Sequence, residues 1–196
     1  MLMSNPALPA LHPPHLPTAL PGKQWVVTRL PSGRHELKLW GKFPPRWLAN
    51  LTGALSARQI SVQCGYANKL SPTVWQGTFE LIPTEGQTLP AHLDFSELAL
   101  HDAHAAAPAV TLLDKILVEK RDDAIFVEVR GADSVGFLMS MLKLFTFYSL
   151  YPAEVSIDTP QGRVLDRFWL KGLGGSIPTD EVCTALRLEL SKHLAL

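Results

Sequence analysis

The sequence has little of what several protein classes require. It contains two cysteines, Cys64 and Cys183, which lie far apart and form no CxxC motif or Cys/His cluster. We therefore expect neither a disulfide framework nor a structural zinc site, and we expect a reducing compartment. Basic and acidic residues number 18 each, so the formal net charge is +0. This balance argues against a nucleic-acid partner, because phosphate neutralisation requires a basic excess.

Basic residues near the start and long apolar runs are also missing. No lysine or arginine precedes Lys23, and six prolines interrupt residues 1–22. This pattern lacks the charged and apolar regions of a secretory signal. The most apolar stretch, residues 135–151, is shorter than the roughly 20 residues that span a membrane, and Lys143 lies near its middle. We expect a cytoplasmic protein with no membrane partner.

Residues 1–22 are rich in proline and carry no lysine, arginine, aspartate or glutamate. We interpret this segment as a disordered or polyproline-like leader. The alternative is an arm that docks a partner.

The rest of the chain repeats one order of elements, namely strand, strand, helix, strand, strand, helix. Alternating apolar residues predict the strands, and apolar residues three and four apart predict the helices. In the first half we predict strands 24–30 and 35–41, a helix over 44–59, strands 60–67 and 74–82, and a helix over 93–101. In the second half we predict strands 111–120 and 124–131, a helix over 135–151, strands 153–159 and 163–172, and a helix over 179–194. The expected domains are residues 23–108 and 109–196.

Each half fits an α+β sandwich of the ferredoxin-like kind, in which two helices cover a four-stranded antiparallel sheet. A final strand normally follows the second helix, and the second repeat lacks one. Two arrangements would supply the fourth strand. Strands 24–30 and 111–120 pair locally as hairpins, or 111–120 closes the first sheet while 24–30 crosses over to the second. The short turns favour hairpins, because they close at low entropic cost.

The helix predicted over 135–151 carries aromatic residues all around its surface, at Phe137, Phe145, Phe147, Tyr148 and Tyr151. A helix that is apolar on every side is buried on more than one side. We predict that it packs on its own sheet and also on a second domain or subunit. A homodimer is the expected oligomer.

Three motifs in the second half resemble the ACT domain family. Residues 133–138 (DSVGFL) resemble its Asp-x-Pro-Gly-Leu-Leu motif, with Val135 in place of the proline. Residues 156–159 (SIDT) resemble its Ile-x-Thr strand, and residues 166–170 (DRFWL) its Asp-x-Phe strand.

The first half resembles the family more weakly. Residues 75–79 (WQGTF) are similar to the third motif, but residues 41–46 (GKFPPR) replace Asp-x-Pro-Gly. The resemblance covers about residues 24–194. It is to stand-alone double-ACT regulators and to the paired ACT domains that end nitrogen-sensing uridylyltransferases. It implies two ACT-type sandwiches, no catalysis and no cofactor. It also implies a small ligand, usually an amino acid, bound where two domains meet, and a regulatory protein partner.

The loop before the 135–151 helix is the candidate ligand site. Unpaired N–H groups in the first turn of a helix can accept a carboxylate. Asp133 could pair with an ammonium group, and Gly136 would let a ligand approach the backbone. The alternative is that Asp133 caps the helix and Gly136 avoids a clash. The candidate ligand-binding residues are Asp133, Ser134, Val135, Gly136, Phe137, Leu138, Ser156 and Ile157. At the equivalent place in the first half, Lys42 and Phe43 complete the set. An anion would suit that loop better than a zwitterion, and the favoured interpretation of the loop is a solvated basic segment that binds nothing.

No catalytic or metal-binding constellation is expected. Asp158 and Asp166 suggest an acid/base pair on adjacent strands, but we expect both to be exposed or strand-end charges. His101 and His104 lack a third metal ligand. The leading hypothesis is therefore a non-catalytic sensor of an amino acid or similar molecule. The alternatives are a ligand-free structural or protein-interaction module with the same fold, and a small enzyme.

Overall fold

The computed structural model describes residues 24–84, 88–90, 92–102 and 112–195. The predicted leader at 1–22 and the expected domain boundary at 108–109 lie outside the described residues. Within those ranges the chain forms eight strands and four α-helices. The strands are β1 (Trp25–Arg29), β2 (His35–Lys42), β3 (Ile60–Lys69), β4 (Val74–Pro83), β5 (Leu113–Arg121), β6 (Ala124–Ala132), β7 (Leu150–Asp158) and β8 (Arg163–Gly172). The helices are α1 (Trp47–Ser56), α2 (Phe95–Leu100), α3 (Phe137–Phe147) and α4 (Asp180–Ser191).

All eight strands join in one antiparallel sheet with the order β1-β2-β4-β3-β7-β8-β6-β5. The two local hairpins, β1 with β2 and β5 with β6, are the arrangement that the short turns favour, and this prediction is confirmed. The fourth strand of each half is therefore its first strand in the sequence. The fold is α+β and is compatible with a pair of ferredoxin-like units. The two expected sheets are continuous, because β3 pairs with β7 at the centre.

The strand registers relate the two halves by an approximate two-fold axis. Leu37 on β2 pairs with Phe79 on β4, and Val127 on β6 pairs with Phe168 on β8 in the same way. At the centre, Tyr66 pairs with Ser156, and the axis passes through this pair. Each half connects two parallel strands through a helix, with an antiparallel strand inserted between them.

The core lies between the helices and one face of this sheet. Buried positions alternate along the strands, as in β4 with Trp75, Phe79 and Leu81. α1 packs against α2 and also contacts α3, so the core is continuous across the border between the halves. α4 lies over β5, and Arg187 donates two hydrogen bonds to the Val118 carbonyl. None of the helices in the described ranges has the length and apolar character to cross a membrane.

The third predicted helix, 135–151, is shorter in the structure. α3 begins at Phe137 and ends at Phe147, because Ser149 adopts a left-handed backbone with φ 56° and β7 begins at Leu150. α3 contacts β7 and α1, so its predicted packing on a second unit is confirmed, and the second unit is the other half of the same chain. Phe147 does not follow the prediction, because it is 82% exposed at the helix end.

Candidate functional site

The loop between β6 and α3 lies at the border between the two halves. Gly136 precedes α3 with φ 88° and ψ 0°, a left-handed conformation that glycine adopts at no steric cost. No side chain caps this helix end. Gly136, not Asp133, is therefore the N-cap residue, and the alternative interpretation of Gly136 as a residue that avoids a clash agrees with its left-handed backbone. The glycine is required by the backbone turn, and the Asp133 carboxylate accepts a hydrogen bond from the N–H of Ser134.

A small cavity opens beside this loop, and both halves contribute to its wall. Its volume is about 30 Å³, enough for one or two water molecules. Six of the candidate ligand-binding residues line it, namely Asp133, Ser134, Gly136, Phe137, Leu138 and Ile157. The first half supplies the opposite wall through the end of α1 and the start of β3, with Thr52, Ser56, Ile60, Ser61 and Val62.

The remaining candidates do not reach the cavity. Val135 lies at the surface of the loop, 40% exposed. Ser156 pairs with Tyr66 at the centre of the sheet, and neighbouring Ile157 faces the cavity instead. Lys42 is exposed at the end of β2, and Phe43 is buried with its ring stacked on Trp47 at 5.3 Å. These four residues are not part of the cavity wall.

Asp166 is the principal residue that the sequence prediction placed wrongly. The expectation was an exposed or strand-end charge, but its side chain is 2% exposed and lines the cavity. The signal was present in the sequence, because Val164, Asp166 and Phe168 share the alternation that faces the core. The Asp166 Oδ1 atom accepts a hydrogen bond from the N–H of Asp158 at 3.3 Å. Asp158 itself is exposed, and the two side chains do not form the acid/base pair considered above.

Burial changes the acidity of both cavity carboxyls. Loss of hydration raises the pKa of Asp166 well above its usual value. The Asp158 N–H opposes this rise in pKa, whereas the negative charges of Asp133 and Asp158 add to it. Burial also raises the pKa of Asp133, and the hydrogen bond from the Ser134 N–H acts in the opposite direction. The cavity thus presents two carboxyl groups whose protonated forms are favoured by their surroundings.

The equivalent place in the first half is closed by aromatic rings. By the two-fold relation, Phe43 takes the position of Asp133, and Gly77 takes that of Asp166. Trp75 replaces Val164 there, and its ring contacts that of Trp47 at 5.4 Å. Of the two candidates in this half, Phe43 belongs to the aromatic cluster and Lys42 is exposed at the end of β2. The positions equivalent to Asp133 and Asp166 are therefore apolar in the first half.

No group of three His, Cys, Asp or Glu side chains with the arrangement of a metal site occurs in the described ranges, and His104 lies outside them.

The fold and the cavity together define an α+β protein with a small acidic site at the border between its two halves. Comparison with family models, curated proteins and solved structures finds no match to the chain.

Proposed function

We propose that this chain is a non-catalytic regulatory protein that binds an amino acid or a similar small amine at the border between its halves. One observation carries the proposal. The loop that resembles the ligand loop of ACT domains lines a cavity to which both halves contribute. In the ACT family, ligands bind where two domains meet, and β3 and β7 provide such an edge-to-edge border within one chain.

The chemistry of the wall suits the two charged ends of an amino acid. Asp133 and Asp166 would bind the ammonium group, and no lysine, arginine or histidine lines the described wall. The first turn of α3, from Phe137 to Met139, borders the same cavity without a side-chain cap. The Phe137 N–H donates to the Ser134 carbonyl at 3.0 Å, so the N–H groups of Leu138 and Met139, at the positive end of the helix dipole, would bind the carboxylate.

The volume of the cavity has a consequence for the mechanism. At about 30 Å³ it admits an ammonium group but not a whole amino acid, so the ligand's remainder would lie at the mouth or displace the Asp133–Gly136 loop. Because α1 and α3 contact each other at this border, such displacement would change the packing between the halves. A ligand that binds more tightly to one packing arrangement of the two halves than to another could then transmit a signal to a partner.

The competing function is a ligand-free structural or interaction module. Two observations favour it, the small volume of the cavity and the aromatic closure of the equivalent place in the first half. The leading proposal, a regulatory protein that binds an amino acid, also includes a homodimer, a regulatory protein partner and a cytoplasmic location. Light scattering of the purified chain tests the dimer.

A thermal-shift screen of the twenty amino acids at millimolar concentration tests the leading function. We expect at least one amino acid to raise the melting temperature, because binding to the folded state stabilises it. We expect Asp133→Asn to remove that increase. Asp114→Asn is the matched control, since Asp114 is an exposed carboxylate on β5 that pairs with Arg163. A flat response across all twenty would favour the ligand-free module.

A further inference from the structure

Among the described residues, the buried carboxyl group of Asp166 accepts a single hydrogen bond, from the Asp158 N–H to Oδ1. The side chain is 2% exposed and lines the cavity. A buried carboxyl that is hydrogen-bonded on one side only is costly to ionise unless a cation or donor reaches the other oxygen.

The groups around Asp166 are acidic or neutral on every element that packs against it. The β6–α3 loop supplies Asp133, and the end of β7 supplies Asp158. α1 supplies the hydroxyls of Thr52 and Ser56, and β3 supplies that of Ser61. No basic side chain lines the described wall, so none of its side chains supplies a positive charge to compensate a negative charge on Asp166. An ammonium group that enters the cavity would supply one.

We propose that an ammonium group entering this cavity displaces a proton from the Asp166 carboxyl, so that the site selects amines and binds them more tightly as pH rises. The carboxyl releases one proton to solvent and becomes a carboxylate, while the ligand's ammonium group keeps its charge and its protons. This inference rests on the proposed function, because it concerns the same cavity. The direction in which burial and the neighbouring carboxylates move the pKa of Asp166 agrees with it.

The test uses the full chain and two small probes, methylammonium chloride and glycine. Carbon-detected NMR follows the titration of the Asp166 carboxyl, and chemical-shift changes at α3 give the dissociation constant at several pH values. Chloride is kept constant with sodium chloride. We expect the dissociation constant to fall by up to about tenfold per pH unit while the carboxyl titrates and then to level off, as linkage to one proton requires. The titration midpoint of Asp166 should fall when methylammonium saturates the site.

Asp166→Asn should remove the pH dependence of probe binding, and Asp114→Asn should retain it. Glycolate, in which a hydroxyl replaces the ammonium of glycine, should not bind. The titration of the unsubstituted chain keeps the inference testable even if Asp166→Asn does not fold.

The outcomes separate this inference from the proposed function. Glycine binding with the same affinity at every pH would overturn the proton coupling and leave the amino-acid function in place. Proton-coupled binding of methylammonium without binding of any amino acid would support the coupling and overturn the amino-acid function. Failure of both probes at every pH, with an unchanged Asp166 titration, would overturn both.

Discussion

At the scale of single residues, Asp166 is the position where local pattern and chemistry disagree. It occupies a core-facing place on β8 between Val164 and Phe168, where an apolar residue would be expected. A buried carboxyl reduces stability at pH values where it ionises. A binding role would explain why an ionisable residue occupies this position beside the cavity despite its cost in stability, since functional sites often trade stability for chemistry.

Asp166→Asn should therefore stabilise the chain at neutral pH. The folded-state pKa of Asp166 is raised by burial, so the folded chain binds the proton more tightly than the unfolded chain. The resulting stabilisation is complete below the unfolded pKa and is lost as pH rises through the folded one. Asparagine imitates the protonated acid and avoids that loss. We expect a gain of roughly 1 to 3 kcal/mol in the free energy of unfolding at pH 8, shrinking towards pH 3.5.

Urea denaturation at pH 3.5, 5, 6.5 and 8 measures this difference. Asp114→Asn serves as the control, because its carboxylate is at the surface. A variant that is less stable than the unsubstituted chain by the same amount at every pH would show that Asp166 acts through shape alone.

At the scale of elements, β3 and β7 form the seam that unites the halves. Gly65 of β3 pairs with Ile157 of β7 on one side and with Phe79 of β4 on the other. Its backbone lies so close to β4 that a Cβ atom would stand 2.5 Å from Cδ1 of Phe79 and 2.9 Å from the Thr78 carbonyl oxygen. The ring could turn, but the carbonyl belongs to the backbone of a central strand.

Gly65→Ala should consequently destabilise the chain by roughly 1 to 3 kcal/mol, as expected when a close-packed core must shift to admit a methyl group. Chemical denaturation at pH 7 measures the change. Ser156→Ala, at a half-buried position on β7 that pairs with Tyr66, is the matched control and should change stability by less than about 0.5 kcal/mol. Equal stabilities of the two variants would mean that β4 moves away from Gly65 at little cost to admit the methyl group.

At the scale of the whole molecule, one sheet and one core run through both halves. β3 pairs with β7, and α1 contacts α3, so the two repeats share backbone hydrogen bonds and apolar surface. Elements that bury surface against each other unfold together when separation would expose it. The repeats should therefore behave as a single cooperative unit.

Tryptophan placement offers a test of this cooperativity. Four tryptophans lie in the first half, and Trp169 alone lies in the second. In a Trp169→Phe variant, fluorescence reports the first half while circular dichroism reports both. We expect the two urea midpoints to coincide. Midpoints that differ beyond experimental error would show that the halves unfold independently.

The loop that reaches the cavity was predicted from its residues, but most of the cavity wall was not. The Asp133–Leu138 loop was found because its residue types suit a strand-to-helix turn and resemble a known motif. Thr52, Ser56 and Ser61 carry no local signal of this kind, because they reach the cavity only through the border between the halves. Asp166 carried a signal in its alternation, but its burial depends on elements that cover the sheet.

Local sequence patterns were enough to predict the order of the elements, most of their limits and the two hairpins, because strand alternation, helical spacing and short turns are local properties. The predicted helix over 135–151 was too long, because Ser149 has a left-handed backbone and β7 begins at Leu150. The pairing of β3 with β7, the joining of the two expected sheets into one, and the cavity with Asp133 and Asp166 in its wall emerge from the three-dimensional arrangement alone. Those features depend on contacts between residues about a hundred positions apart, and no local pattern specifies which distant strand a given edge will bind.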